Sequence, residues 1–183
     1  MKIKMPDNKT DSPDFSQYRE NWITRDGRIV VLRSITAKDK SIEKELIDGL
    51  SSQSSRYRFF HVIKDASEEM VSKFCDIDYK NEVAIIAEYS SNDKQQNVGV
   101  VRLFIDSGSQ TGEFAILVAD SFQNSGLGTK FMQVLLEIAG KEGLKSIYGT
   151  VQSDNTRMLA LMKEFGFNIG PVQDSEVKIT RQL

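Results

Sequence analysis

The chain has 183 residues, a length that suits one globular domain with a buried core. Hydrophobic residues make up 39% and charged residues 27%, which is the balance of a soluble globular protein. A formal net charge of −2 argues against nucleic-acid binding through a broad basic surface.

The single cysteine and the single histidine exclude several kinds of site. Cys75 alone forms neither an internal disulfide nor a cysteine metal cluster. His61 alone leaves little material for a histidine-rich zinc site or a Ser-His-Asp triad. No apolar run approaches the ~20 residues of a membrane span, and the first residues lack the apolar core of a signal peptide. We therefore expect a cytoplasmic protein without a metal, a membrane or a nucleic acid as partner.

Residues 1–20 differ in composition from the rest of the chain. They are polar, contain Pro6 and Pro13, and show little hydrophobic periodicity. This composition predicts a disordered tail, followed by one folded domain over residues 21–183.

The first half of the domain shows strand and helix patterns in turn. A strand over residues 28–35 precedes a helix, which Thr36 and Asp39 open as a capping box. The stretch "SSQSSRYRFF" mixes helical and loop features, and Ser67 caps a short helix after it. Three apolar, β-branched runs then predict three strands. They are "EVAIIAEY", "NVGVVRLFI" and "GEFAILV".

Beyond residue 120 the hydrophobic period becomes helical. Apolar residues recur on one face from about Gly126 to Lys141. A strand is predicted at "KSIYGTVQ", and Asn155 begins another helix, which Gly166 ends in a left-handed conformation. A last strand is predicted at "VKITR". The order β-α-α-α-β-β-β-α-β-α-β predicts an α/β protein with a mixed sheet.

The stretch "SFQNSGLGTK" places two glycines between a strand and a helix. It fits neither a P-loop, which needs GxxxxGK before Ser or Thr, nor the dinucleotide pattern GxGxxG, because Phe131 stands where the third glycine belongs. Bare amides at a helix N-terminus suit a pyrophosphate, and Gly126 and Gly128 present no Cβ to block its approach. A tight turn without a ligand is the alternative interpretation.

Two blocks resemble the cofactor segments of the GNAT superfamily of N-acetyltransferases. In the first, Gln123, Gly126 and Gly128 match the acetyl-CoA-binding pattern Gln/Arg-x-x-Gly-x-Gly/Ala. In the second, three residues match Asn-x-x-Ala-x-x-x-Tyr-x-x-x-Gly-Phe; they are Asn155, Gly166 and Phe167. The resemblance covers roughly residues 25–183. It implies the GNAT fold, a mixed and mostly antiparallel sheet that is flanked by helices and whose strands splay at the cofactor site.

The same resemblance implies how acetyl-CoA is held. The backbone of Leu117 and Val118 would pair with the pantetheine arm, and the Val118 N–H would polarise the thioester carbonyl. The pyrophosphate would lie on the glycine loop, whose residues are Gln123, Asn124, Ser125, Gly126, Leu127, Gly128 and Thr129. Asn155 would contact the pantetheine arm or order the loop around it, unless it only caps its helix.

A second set of residues looks like the acetyltransferase domain of Pat-type bacterial protein lysine acetyltransferases. Such domains carry serines, a tyrosine and Arg-Phe-Phe, and later Ile-Asp-Tyr before an acidic residue. The matching positions are Ser54, Tyr57, Arg58, Phe59, Phe60, Ile77, Asp78, Tyr79 and Glu82. The likeness implies a protein lysine as acceptor, with the Tyr57–Phe60 segment along the acceptor groove. Core packing of the aromatic residues and a surface ion pair of Arg58 are the alternatives.

Acetyl transfer to lysine needs the neutral amine, although the reference pKa of lysine is near ~10.4. A carboxylate therefore has to take the proton, directly or through water. Glu113 opens the strand that leads to the glycine loop, and the matching position in Pat-type domains is the proposed general base. A solvated strand-end glutamate is the alternative, and Glu82 and Asp78 are the other candidate bases.

The second block departs from the family pattern at Met162. Many members have a tyrosine there as the acid for the leaving thiolate, so the thiolate here would depart without an acid or with Tyr148 in its place. Lys130 and Arg157 are candidates for contact with the CoA phosphates.

Two other function classes stay open beside protein lysine acetylation. A small amine such as a polyamine, an antibiotic or an amino acid would need convergent acidic groups, for which Glu82, Asp78 and Glu113 are available. A binding module would hold acetyl-CoA without turnover. The expected assembly is a monomer or a homodimer.

Overall fold

The computed structural model describes residues 13–183, so most of the predicted tail lies outside the described residues. The structured part begins earlier than the boundary predicted at residue 21. Phe15 is buried, the Ser34 hydroxyl donates to its carbonyl at 2.6 Å, and a strand follows from Arg19. The burial of this one aromatic side chain fixes a segment whose composition is otherwise polar.

The described chain contains eight strands and five α-helices. The strands are β1 (Arg19–Ile23), β2 (Ile29–Ser34), β3 (Glu82–Ser91), β4 (Lys94–Asp106), β5 (Thr111–Val118), β6 (Ser146–Gln152), β7 (Asn168–Gln173) and β8 (Glu176–Gln182). The helices are α1 (Lys40–Asp48), α2 (Ser52–Phe59), α3 (Glu68–Cys75), α4 (Leu127–Lys141) and α5 (Thr156–Glu164). Within residues 13–183, no helix has the length and apolarity to cross a membrane.

All eight strands belong to one sheet, in the order β1-β2-β3-β4-β5-β6-β8-β7. Every neighbouring pair is antiparallel except β5 and β6, which run parallel. The predicted mixed, mostly antiparallel sheet is therefore confirmed. The sequence analysis missed β1 and β7, because both are edge strands whose side chains are mostly exposed or half-buried and lack a clear apolar alternation.

Helices cover both faces of this sheet. On one face, Phe131 and Leu135 of α4 pack into the larger core together with Met162 of α5. On the other face, Ile47 of α1 and Val71 of α3 pack into a smaller core. The sheet is thus the central layer between two sets of helices.

β5 and β6 pair only at their beginnings. Residues 111–113 lie opposite residues 146–148, and beyond these pairs β5 bonds only to β4 while β6 bonds only to β8. The two strands therefore splay, as predicted, and leave a gap in the middle of the sheet.

The helices beside the gap have well-defined ends. Ser51 caps α2 by accepting from the Ser54 amide, and Phe60 ends α2 in a left-handed conformation with φ of 64°. The mixed pattern of this stretch is therefore a helix with a strong N-cap and a strained C-cap. Asn155 caps α5, and Gly166, with φ of 73°, follows its end as predicted.

Candidate active site

Two adjoining cavities occupy the gap between β5 and β6. The first, of about 440 Å³, is lined by the end of β5, the glycine loop and the start of α5; we call it the loop cleft. The second, of about 270 Å³, is lined by the start of β5, by β6 and by several aromatic side chains; we call it the strand cleft. The two clefts meet at a junction whose residues line both. They are Tyr57, Arg58, Ile116, Asn155 and Met158.

The glycine loop carries free backbone donors at the start of α4. Gly126 is the N-cap, and its φ of 88° is a left-handed conformation that favours glycine. The amides of Gly126, Gly128 and Thr129 make no hydrogen bond to any residue of the described range. These donors add to the positive end of the helix dipole, so the loop suits an anion such as a pyrophosphate.

Some of the predicted cofactor-binding residues line the loop cleft, and the others lie behind its wall. Six line the cleft: Leu117, Val118, Gln123, Asn124, Gly128 and Asn155. Four do not: Ser125, Gly126, Leu127 and Thr129. The Ser125 hydroxyl donates to the Phe122 carbonyl and the Leu127 side chain is buried in the core, so these two side chains hold the loop in shape.

The turn between β1 and β2 packs against the glycine loop. The Arg25 amide donates to the Ser125 carbonyl at 2.8 Å, and a Cβ on Gly126 would lie 3.1 Å from the Arg25 Nε. Arg28 donates to the Ser121 carbonyl at 3.1 Å and stacks on the Phe122 ring at 3.5 Å. Sequence reasoning missed this contact because the turn and the loop lie about a hundred residues apart, and no local pattern reports such a pairing.

Asp120 fastens α2 to the same loop. Its carboxylate accepts from the Ser51 amide at 3.0 Å, the Ser51 hydroxyl at 2.8 Å and the Ser54 hydroxyl at 2.7 Å. Burial raises the pKa of Asp120, but these hydrogen bonds outweigh it and hold the pKa below its usual value. Gln123 donates to the Ser54 hydroxyl at 3.0 Å, which extends the connection to the glycine loop.

The two predicted phosphate-binding cations have different surroundings. Lys130 forms a 2.6 Å ion pair with Glu20 and does not line the loop cleft. Arg157 lines the cleft and donates to the Gln123 side chain at 2.8 Å. Arg157 is therefore the better placed of the two for a contact with phosphate.

Asn155 caps its helix, which is one of its two predicted roles, and it also lines the junction. Its side-chain oxygen accepts from the Met158 amide at 3.1 Å, which is the helix cap, and the residue lines the junction. Its side-chain nitrogen makes no hydrogen bond to the described residues, so it remains available to a ligand. Contact with pantetheine stays a prediction.

Glu113 is the one carboxylate among the described residues that line the strand cleft. It is exposed at the start of β5, and its register neighbours are Phe104 on β4 and Tyr148 on β6. The Tyr148 hydroxyl donates to the Glu113 carboxylate over a long 3.5 Å. Burial, followed by the negative charge of Glu113, raises the pKa of Tyr148. A carboxylate that is exposed to an open cavity and only loosely bonded is free to accept a proton.

The other candidate bases lie elsewhere. Glu82 accepts from Arg102 at 3.0 Å, and Asp78 accepts from the Lys80 amide at 3.0 Å. Burial raises the pKa of Glu82, against the opposing effect of Arg102. Neither side chain lines either cleft, so the three carboxylates that a small-amine pocket needs do not converge here.

The position of the expected thiolate acid holds no ionisable group. Met162 is fully buried in the core. Tyr148 lies beside Glu113 and does not line the loop cleft, whereas Tyr57 lines both clefts and donates to the Asp154 carbonyl at 3.3 Å. Among the tyrosines of the described residues, Tyr57 is the one that lines both clefts, and the sequence analysis did not assign it to acid chemistry.

Comparisons with known proteins find similar chains among acetyltransferases. The model of the acetyltransferase (GNAT) family matches residues 50–167, a range that includes the glycine loop, Glu113 and Asn155. The acetyltransferase PA5475 of Pseudomonas aeruginosa is 29% identical over 150 residues, which is 81% of each chain.

Two solved structures share the fold. The GNAT domain of S. lividans PAT has a TM-score of 0.80 at 22% identity, over 90% of this chain and 97% of that domain. Spermidine N-acetyltransferase from Vibrio cholerae, solved with CoA and spermine, has a TM-score of 0.68 at 18% identity, over 84% of this chain and 95% of that one.

Proposed function

The chain belongs to the acetyltransferase (GNAT) family, and on this premise we propose that it transfers an acetyl group from acetyl-CoA to a lysine side chain of a protein, with Glu113 as general base. The observation that carries the proposal is the strand cleft, where this single carboxylate lies among aromatic side chains and opens onto the loop cleft. This arrangement offers one amine a proton acceptor and offers its hydrocarbon stem an apolar wall.

In this proposal acetyl-CoA occupies the loop cleft. The pyrophosphate lies at the free amides of the start of α4, where Gly128 forms the cleft wall, and the pantetheine arm runs along the edge of β5 that β6 leaves unpaired. The thioester then lies on the loop-cleft side of the junction, where the N–H of Val118 on β5 polarises its carbonyl. The splay of the strands provides both the space and the unpaired backbone that this placement needs.

The acceptor amine enters through the strand cleft and loses its proton to Glu113, directly or through water. Its nitrogen forms a bond to the thioester carbon, and the carbon–sulfur bond then breaks with its electron pair on sulfur. The thiolate of CoA leaves without an acid at position 162, because Met162 has no proton to give.

The walls of the strand cleft favour a lysine side chain over a polyamine. Phe60, Phe74 and Phe104 line it, and Phe60 and Phe104 are 42% and 40% exposed at its surface. These rings can cover the methylene stem of a lysine. A polyamine carries several positive charges and needs several carboxylates, whereas this cleft holds one carboxylate, Glu113, and one guanidinium, Arg58.

The test is an acceptor panel that follows release of the CoA thiol. Wild-type protein is supplied with acetyl-CoA and, in parallel, with lysine peptides, spermidine or buffer alone. We expect release only with lysine peptides, and mass spectrometry should find the acetyl group on the lysine. Faster release with spermidine would assign a small-amine acceptor. Tight binding of acetyl-CoA without release for any acceptor would assign a binding module.

A further inference from the structure

Arg58 lies at the junction of the two clefts without an ionic partner. It projects from α2, is half-buried, and packs over the rings of Phe59 and Phe74 at 4.9 and 6.0 Å from their centroids. It makes no salt bridge or hydrogen bond to any residue within 13–183. The surface ion pair that the sequence suggested for it is therefore absent from the described structure.

Two other arginines of the fold are neutralised by carboxylates. Arg33 bonds to Asp39 and Glu88, and Arg102, which is only 1% exposed, bonds to Glu43 and Glu82. For Arg58, burial first and the positive charge of Arg102 second lower the pKa to about 10, which still leaves it protonated at neutral pH. A half-buried guanidinium that no carboxylate bonds directly has free N–H donors, so an anion delivered to it would form charge-assisted hydrogen bonds.

We propose that Arg58 binds a carboxylate at the far end of the acyl group, so that the protein accepts dicarboxylic acyl-CoA donors such as succinyl-CoA or malonyl-CoA. This inference rests on the proposed function, because that function places the acyl-CoA. With the pantetheine arm in the loop cleft and the amine in the strand cleft, the group that occupies the junction is the acyl group itself. Arg58 is the charged side chain that lines both clefts.

Two other sources of negative charge fit Arg58 less well. The CoA phosphates are assigned to the free amides around Gly126 and Gly128, at the other end of the loop cleft. An acidic residue beside the acceptor lysine would stay at the mouth of the strand cleft, where Phe60 and Phe104 are exposed. Arg58 lies beside Phe59 and Phe74 and lines the junction itself, so a group that occupies the junction is the nearer partner.

The bond changes are the same as for acetyl transfer. The amine nitrogen bonds to the thioester carbon, the carbon–sulfur bond breaks, and the electron pair leaves with the CoA thiolate. Glu113 takes the amine proton. The distal carboxylate keeps its charge throughout and is not a reactant, so Arg58 acts on donor binding and orientation and no additional co-reactant is needed.

The first experiment measures donor binding without any acceptor. Calorimetry compares succinyl-CoA with butyryl-CoA, whose chain has the same four carbons but no charge. For wild-type protein we expect succinyl-CoA to bind roughly 10- to 100-fold more tightly, as a charge-assisted pair predicts. The preference should fall close to 1 in Arg58→Met and persist in part in Arg58→Lys, which keeps the charge.

The matched control is Arg56→Gln. Arg56 is on the same helix but pairs with Asp154 and lines neither cleft, so its removal should leave the donor preference unchanged. Circular dichroism and the melting temperature verify that each variant is folded. The inference is overturned if wild-type protein binds both donors equally, or if Arg58→Met weakens both donors by the same factor.

A second experiment separates this inference from the proposed function. Lysine peptides are incubated with acetyl-CoA or succinyl-CoA, and the modified lysine is identified by mass. Acetyl transfer without any succinyl-CoA preference would leave the proposed function standing and overturn the role of Arg58. An Arg58-dependent preference for succinyl-CoA without transfer to any amine would support the role of Arg58 and overturn the proposed function.

Discussion

The loop cleft and the strand cleft lie side by side but are built in different ways. The loop cleft is lined mainly by two continuous segments, residues 116–128 and residues 154–161, and offers backbone N–H groups to its ligand. The strand cleft collects residues from seven elements, with short runs from β5 and β6 and one or two residues each from α2, α3, β4, α5 and β8. A site made of backbone N–H groups binds the same chemical group whatever its side chains are. A site made of side chains can change its ligand when its residues are substituted. Variants in the loop cleft should therefore change acetyl-CoA affinity, whereas variants in the strand cleft should change turnover.

The largest effect is expected for Glu113→Gln in the strand cleft. Turnover should fall by roughly 10²–10⁴-fold, the range for loss of a general base, while acetyl-CoA affinity stays normal because the amide is nearly isosteric. The loss should shrink as pH approaches the pKa of the amine, since neutral acceptor is then plentiful. Kinetics over pH 7–10 together with calorimetry measure both quantities.

Asp78→Asn is the matched control for this variant, because Asp78 lines neither cleft and should leave turnover unchanged. A loss of turnover that is equal at every pH would instead make Glu113 a residue that positions the acceptor. Near-normal turnover of Glu113→Gln at neutral pH would indicate that solvent acts as the base.

In the loop cleft, Gly128→Asp should weaken acetyl-CoA binding by on the order of 100-fold, because it places a negative charge beside the pyrophosphate. Gly128→Ala is its control, since a Cβ at this position meets only the Leu161 side chain at an ordinary 3.6 Å. Calorimetry should find the alanine variant close to wild type. Unchanged affinity in a folded Gly128→Asp variant would contradict the assignment of the pyrophosphate site.

Replacing Asp120 should lower the stability of the fold around both clefts, because its carboxylate joins α2 to the glycine loop. Asp120→Ala removes three hydrogen bonds to a carboxylate that is partly screened by solvent, so we expect a loss of about 1–2 kcal/mol in the free energy of unfolding. Urea unfolding of wild-type and variant protein measures this loss. Ser109→Ala, in an exposed turn, is the control and should change the stability little.

The pH dependence of the Asp120 contribution follows from its lowered pKa. The folded pKa is below the unfolded one, so the stabilisation is complete above the unfolded pKa near ~4 and disappears as pH falls through the folded value. The stability difference between wild type and Asp120→Ala should therefore narrow in acid. A difference that stays constant between pH 7 and pH 3 would contradict this account.

The smallest effect is expected for Asn155→Ala, which removes a helix cap at a cost of about 1 kcal/mol. If the Asn155 side chain also contacts the pantetheine arm, the Michaelis constant for acetyl-CoA should rise several-fold as well. Thermal unfolding and steady-state kinetics separate the two contributions. A lower melting temperature with an unchanged Michaelis constant would leave only the cap.

The sequence predicted the loop cleft better than the strand cleft, and the reason is physical. Local spacing predicted the glycine loop, the Asn155 cap and the left-handed Gly166, because each depends on residues close together in the chain. The Arg25–Ser125 contact depends on long-range pairing, which leaves no local pattern.

Arg58 is a second example of a feature that the local sequence did not predict. Its charge predicted an ion pair at the surface, but α2 directs it into the junction beside Phe59 and Phe74. The edge strands β1 and β7 were missed because their exposed side chains carry little apolar alternation. Where packing between distant segments decides the outcome, the local pattern is uninformative.

The short pairing of β5 with β6 has a mechanical consequence. Three residue pairs make up the strand pairing between the five strands on one side of the seam and the three strands on the other. A sheet resists bending through continuous ladders of hydrogen bonds, and among the described strands the ladder at this seam is the shortest. In the proposed placement acetyl-CoA bonds along the bare edge of β5 as a substitute strand, so that substrate binding would extend the hydrogen bonding of the sheet across the seam.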